Sequence, residues 1–266
     1  MTLAEVIEVL EAAYPPARAE SWDAVGLVCG DPAQPVRRVL LAVDPVTSVV
    51  DEAVEWGADL IVVHHPLYLR GTTTVAANTP KGRLLHTLIK RDIALYTAHT
   101  NADVANPGVS DALARAVGLV GDLVPLQPFP DDPWRGLGRV GELPEPVTLE
   151  EFAVAVAGGL PKTSWGIRVA GDPSRRVARV AVSGGAGDSL LETARAAGVD
   201  AFLTADLRHH PASEFAEAGG PALIDAAHWA TEWPWLDGAA SILRGGGVTV
   251  ETRVSAAVTD AWTKGY

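Results

Sequence analysis

Apolar positions along this chain alternate between helical and strand spacings. Leu3, Val6, Ile7 and Leu10 recur at helical intervals behind a Thr2-Leu3-Ala4-Glu5 capping box, and Tyr14-Pro15-Pro16 ends that element. Residues 38–43 read as a strand, 46–56 as a helix and Leu60-Ile61-Val62-Val63 as a second strand, together a βαβ unit. The last run is continuous rather than alternating, which is the pattern of a strand buried on both faces of a mostly parallel sheet. Gly57 before it suits a helix-to-strand turn. A helix over 81–90, with Leu84, Leu85 and Leu88 as its stripe, and a strand over 93–98 continue the alternation. Further helices are expected after Gly108-Val109-Ser110, with Leu113 and Val117 inward, and from Thr148-Leu149-Glu150-Glu151 to Gly159.

The pattern recurs. Shifted by 141 residues, Arg38-Val39 falls on Arg179-Val180, Ser48 on Ser189, Ala53 on Ala194, Gly57 on Gly198 and Asp59 on Asp200. A shift of 129 places Ala98-His99-x-x-x-Asp103 on Ala227-His228-x-x-x-Glu232. The expected fold class is therefore α/β: two similar βαβ-containing halves related by an internal repeat, with mixed sheets flanked by helices and a metal site between the halves. The expected division is a first half over residues 1–124, a Pro/Gly-rich connector over 125–147 and a second half over 148–266.

Composition narrows the function classes. The 266 residues are 48% hydrophobic, ample for a real core, and carry a formal charge of −12, which disfavours a nucleic-acid partner. Cys29 is the single cysteine, so no intramolecular disulfide framework exists and a reducing compartment is expected. No stretch approaches the ~18 apolar residues of a bilayer span, and residues 1–20 lack a basic signal-like region, so no membrane association and a cytoplasmic location are expected.

Histidines and carboxylates end the apolar strands. His64 and His65 follow Val63 and precede Pro66; His99 and Asp103, and His228 and Glu232, each share a His-x-x-x-acid spacing; His210 follows the strand at Phe202-Leu203. Imidazoles and carboxylates without thiolate suit Zn, Fe, Mn, Co or Ni, and bridging carboxylates let such a set hold two ions that acidify water for hydrolysis. Trp229, Trp233 and Trp235 crowd around His228 and Glu232 as core or interface, and Trp22-Asp23 lies in a loop that either caps a turn or flanks the site. The Ser183-Gly184-Gly185-Ala186-Gly187 run lacks the Lys-Ser/Thr of a phosphate-binding loop, so it is a weak phosphate signal.

These stretches resemble the type 2 GTP cyclohydrolase I family, the Nif-three-like proteins. The matching motifs are Glu20-Ser-Trp-Asp-Ala-Val-Gly26, Asp59-Leu-Ile-Val-Val-His-His-Pro66, His99-Thr-Asn-Ala-Asp103, Ser183-Gly-Gly-Ala-Gly187, Thr204-Ala-Asp-Leu-Arg-His-His210 and His228-Trp-Ala-Thr-Glu232. The resemblance implies two divalent metal ions per chain, held by His64, His65, Asp103, His228 and Glu232, with Glu232 as bridge. It implies proton-transfer or supporting roles for His99 and His210, and a toroidal homohexamer whose sites face its interior. Two departures stand out: Ala205 occupies the glycine of a usual Thr-Gly-acid pattern, and the domain inserted in longer members is absent. The function implied is a metal-dependent hydrolase acting on GTP, another nucleotide or a related small molecule. The alternatives are a nucleotide phosphoesterase and a non-catalytic, ring-forming metal-binding adaptor.

Overall fold

Leu60, Ile61, Val62 and Val63 are all completely buried, the outcome their continuous apolar run predicts for the middle of a parallel sheet. The computed structural model describes residues 1–266. Its first four strands are β1 (Gly26–Cys29), β2 (Arg38–Ala42), β3 (Leu60–Val63) and β4 (Ala94–Thr97). β2, β3 and β4 pair in parallel, while β1 runs antiparallel to β4. Helices Thr47–Trp56 and Pro80–Lys90 make the crossovers, and Gly57 turns the first of them toward β3 with φ 74°.

Six further strands build a second sheet. They are β5 (Val120–Phe129), β6 (Asp132–Thr148), β7 (Ile167–Ala170), β8 (Arg176–Ala186), β9 (Ala201–Ala205) and β10 (Ala222–Ala226), in the order β5-β6-β8-β9-β10-β7. Only β8, β9 and β10 are mutually parallel. The last strand, β11 (Glu251–Val254), returns to the first sheet and pairs in parallel with β2. The chain accordingly forms two units, Met1–Ala102 with Leu236–Thr259, and Asp103–Trp235 with Asp260–Tyr266. No helix is long and apolar enough to cross a membrane.

Each unit holds one matching pair of strands. Val39 faces Leu60 in the β2–β3 ladder and Val180 faces Ala201 in the β8–β9 ladder, the same register at a spacing of 141 residues. Asp59 accepts the amides of Arg37 and Arg38 at 2.7 and 2.9 Å, and Asp200 those of Ala178 and Arg179 at 2.9 Å each. The next ladders align Leu60 with Ala94 and Ala201 with Ala222, a spacing of 128 for the second partner. β10 is one residue longer than β4, so His99 and His228 each sit two residues past the end of their strand.

The expected division into 1–124, a connector over 125–147 and 148–266 does not hold. Residues 125–147 form most of the β5–β6 hairpin. Its prolines are tolerated because Pro125 and Pro128 lie on an edge strand, and Pro144 and Pro146 fall where the β6–β8 register breaks between Glu142 and Val147. Leu113, Ala114 and Val117 pack with Val180, Leu203 and Ile224 of the second sheet, which carries residues 103–124 into the second unit. The Gly-rich run is strand rather than loop over most of its length, since Ser183 to Ala186 are the end of β8.

The hairpin is tied down by a buried ion pair. Arg139 on β6 is fully buried; its Nε donates to Asp111 Oδ1 at 2.9 Å, and its other nitrogens donate to the carbonyls of Gly136, Gly138 and Ala105. Removing the guanidinium strands the Asp111 carboxylate, so Arg139→Ala should lower unfolding free energy by about 3–5 kcal/mol. Arg179→Ala, which breaks an exposed pair with Glu142, should cost less than about 1 kcal/mol. Urea denaturation of the two variants side by side checks the contrast.

Candidate metal centre

Side chains alternate along a strand, so adjacent histidines reach one side only where the ladder stops. It stops at Val63: the backbone amides of His64 and His65 both donate to the Val43 carbonyl, at 3.1 and 2.9 Å. β4 brings His99 alongside, and the three ring centroids are 5.1 Å (His64–His65), 5.1 Å (His64–His99) and 5.6 Å (His65–His99) apart. One donor atom from each lies within 4.8 Å of the others. His99, expected as a proton-transfer group, thus stands in donor range with His64 and His65. Asp103 lies one turn on, half-buried at the end of the short helix Thr100–Asp103.

Each of these rings is held from behind. His64 Nδ1–H donates to the Ala98 carbonyl at 2.9 Å, His65 Nδ1–H to Asp44 at 2.8 Å and His99 Nδ1–H to Asp23 at 2.8 Å. Burial and then the neighbouring His64 push His99 below the ordinary imidazole range, against the pull of Asp23, so the ring is neutral at pH 7. Burial alone would raise the Asp23 carboxyl, but hydrogen bonds from His99 and Thr100 outweigh it and hold it below the usual carboxylate range.

The second unit repeats the device. His228 opens the helix His228–Glu232, and its Nε2 lies 2.9 Å from Glu232 Oε1, one turn on and almost fully buried. Its Nδ1–H donates to Asp206 at 2.7 Å. The departure at Ala205 proves harmless, because Ala205 is a regular β9 residue. The left-handed conformation falls on Asp206, φ 56°, which an aspartate tolerates. Thr231 accepts the Gly185 amide at 2.9 Å and donates to the His228 carbonyl at 2.7 Å. Gly185 itself has φ 67°, and a Cβ there would come within 2.6 Å of Glu232 Oε1 and 3.2 Å of His228 Nε2. The glycine run therefore makes room for the donor pair rather than cradling phosphate. His210 is exposed in the first turn of helix His209–Glu217, its ring 5.2 Å from that of His209. It is Asp206, four residues earlier, that reaches His228.

Donor chemistry fits a divalent cation. With Nδ1 carrying the proton, each imidazole keeps its lone pair on Nε2, the arrangement that metal-ligating histidines show. At His228 that lone pair faces a carboxylate oxygen, and two acceptors at 2.9 Å are stable only with a proton or a cation between them. Asp44 and Asp206 are the residues that sequence spacing missed; their one signal is that they follow the ends of β2 and β9, the edge where such sheets place ligands. Asp23, in the loop with Trp22, flanks the site through His99. Among the tryptophans, Trp229 and Trp235 are core, whereas Trp22 is 57% exposed with its ring centroid 6.0 Å from that of His99.

The family profile described as Duf34/NIF3 (NGG1p interacting factor 3) matches residues 1–261. The chain belongs to the Duf34/NIF3 family. It is 64% identical over 268 positions to the "GTP cyclohydrolase 1 type 2 homolog" of Streptomyces coelicolor, covering 98% of this chain and 93% of that one. A Mycobacterium tuberculosis protein of the same name is 41% identical, covering 98% and 96%, over an aligned span of 367 positions that exceeds the 266 residues here. That relative contains inserted sequence with no counterpart in this chain. The crystal structure of a Bacillus cereus protein related to NIF3 superimposes with a TM-score of 0.90 at 25% identity, covering 98% of both chains.

Two outcomes follow for this NIF3-family chain. Gly185→Ala should weaken metal retention by about tenfold or more, read by elemental analysis after dialysis, because the new methyl displaces the Glu232 carboxylate. Asp23→Asn should destabilise metal-free protein by about 1–3 kcal/mol at pH 7. The folded pKa of Asp23 is the lower one, so its stabilisation is present above the unfolded value of about 3.9 and is lost as pH falls through the folded value. Urea midpoints of wild type and variant should converge below about pH 4.

Proposed function

We propose that this protein is a dinuclear metal-dependent hydrolase acting on a nucleotide or related small molecule, with GTP the first substrate to try. His64, His65, Asp103, His228 and Glu232 would hold the ions in this reading. The observation that carries it is the uniform engagement of Nδ1 on the three ligand histidines, His64, His65 and His228, which makes Nε2 the nitrogen each would offer a cation. Zn, Fe, Mn, Co and Ni all accept such ligands. Two bound ions supply Lewis acidity and the means to use water as a nucleophile near neutral pH. His99 is neutral, so it can take a proton at Nε2 while Asp23 stabilises the resulting imidazolium through Nδ1. His210, exposed on its helix, is the second group proposed to pass protons to solvent. The reading extends to a toroidal homohexamer with the sites facing its interior.

A non-catalytic, ring-forming adaptor is the second reading, and one observation favours it. A triphosphate needs several cationic partners, yet the basic groups near the motifs are few: Arg70 is exposed, Arg208 is engaged by Asp188 and Lys81 lies over the Tyr68 ring, 5.8 Å from its centroid. The same shortage weighs against a nucleotide phosphoesterase.

Elemental analysis should find about two ions per chain in wild type and clear losses in His64→Ala and Glu232→Ala. Glu232→Gln should abolish turnover of GTP, or of whichever nucleotide the metal-loaded protein hydrolyses, while light scattering shows an unchanged oligomer. Metal-loaded wild type with an intact ring and no turnover of nucleotides or phosphoesters would overturn the enzyme in favour of the adaptor.

A further inference from the structure

The stretch from Gly246 to Tyr266 carries none of the motifs, yet part of it reaches the histidines. His64, His99 and His228 are held by a backbone carbonyl or by an aspartate from a neighbouring turn. At His99 the other Asp23 oxygen accepts the hydroxyl of Thr100, the residue next to that histidine; at His65 the same two-oxygen grip is closed from far along the chain. Asp44 Oδ1 accepts its Nδ1–H at 2.8 Å, and Asp44 Oδ2 accepts the hydroxyl of Thr259, which lies 215 residues further along the chain.

The segment that presents Thr259 is firmly anchored within the same unit. β11 pairs with β2, the Ser255 amide donates to the Leu41 carbonyl at 2.8 Å, and the buried Ser255 hydroxyl donates to Glu52 on helix Thr47–Trp56. The Ala257 amide then donates to Ser255 Oγ at 3.2 Å, and Ala257 packs on the core of the first sheet. From Asp260 the chain belongs to the other unit, where the Trp262 carbonyl accepts the Ser164 hydroxyl and the Trp262 ring centroid lies 6.1 Å from that of Trp165.

We propose that Thr259 is a positioning residue for His65, which makes residues 251–259 a strap that completes the metal-binding site. The proposal rests on the metal-binding reading above. A carboxylate bonded through one oxygen can turn about its Cβ–Cγ bond and release the imidazole; a hydroxyl on its other oxygen prevents that turn. With both Asp44 oxygens engaged, the His65 ring keeps its plane and its Nδ1–H tautomer, and Nε2 is the nitrogen offered to the metal. Val is isosteric with Thr but lacks the hydroxyl, whereas Ser restores it.

The test compares wild type, Thr259→Val, Thr259→Ser and Asp44→Asn with two readouts. The first is the imidazole nitrogen NMR spectrum of metal-free protein, which reports the His65 tautomer without any ion. Wild type and Thr259→Ser should show His65 protonated at Nδ1, and Thr259→Val should show exchange between tautomers. The second is the rate at which zinc-loaded protein loses zinc to excess chelator at pH 7. Thr259→Val should release zinc about tenfold faster, Asp44→Asn about tenfold to a hundredfold faster, and Thr259→Ser at the wild-type rate. A Thr259→Val protein with an unchanged tautomer and an unchanged release rate would overturn the strap, as would failure of Thr259→Ser to restore either. Wild type that takes up no zinc but shows the tautomer difference would overturn the metal-binding reading and leave the hydrogen-bond relay standing.

Discussion

An imidazole ligates only through a nitrogen that carries no proton, so the chemistry available here depends on which ring nitrogen is protonated. In this chain that choice is made at Nδ1. The Ala98 carbonyl, Asp44, Asp23 and Asp206 each take one Nδ1–H, and the four rings are left with the same tautomer. Three of the four acceptors are carboxylates, which also stabilise positive charge arriving at the ring. Without them the rings could flip or change tautomer, and their clustering would be chemically empty.

Parallel β-structure is what collects these groups. Asp44, His64 and His99 follow the C-terminal ends of β2, β3 and β4, while Asp206 and His228 follow those of β9 and β10. Gly185, near the end of β8, leaves the space that Glu232 and His228 occupy. Strands that run the same way end at the same edge, and the peptide groups just past that edge leave the ladder and can re-aim side chains. The cost is local conformational strain and tight packing, seen in the left-handed Asp206 and in a glycine run where added methyls would strike Val109, Glu232 and Thr204.

Much of this was legible in the residues. The continuous run Leu60 to Val63 predicted a fully buried strand, Gly57 its preceding turn, and the His-x-x-x-acid spacings placed His99 and His228 just past strand ends. The Pro-rich stretch misled, because a proline signals a break only where its missing amide matters, and an edge strand or a register shift removes that need. The units also interleave: β11 returns from the end of the chain to pair with β2, and no local composition change marks such a return.

Hydrophobic periodicity is a property of neighbouring residues, so the sequence by itself determined the α/β character, the buried strands and the donor residues at their ends. Which acceptor holds each ring is a different kind of fact. The partners of the Nδ1 atoms lie 34, 21, 76 and 22 residues from His64, His65, His99 and His228, and Thr259 reaches Asp44 from 215 residues away. Spacing along a chain carries no signal at such separations. Only the tertiary structure, by bringing strand ends, loops and the C-terminal strap together, decided which nitrogen of each histidine is free of a proton.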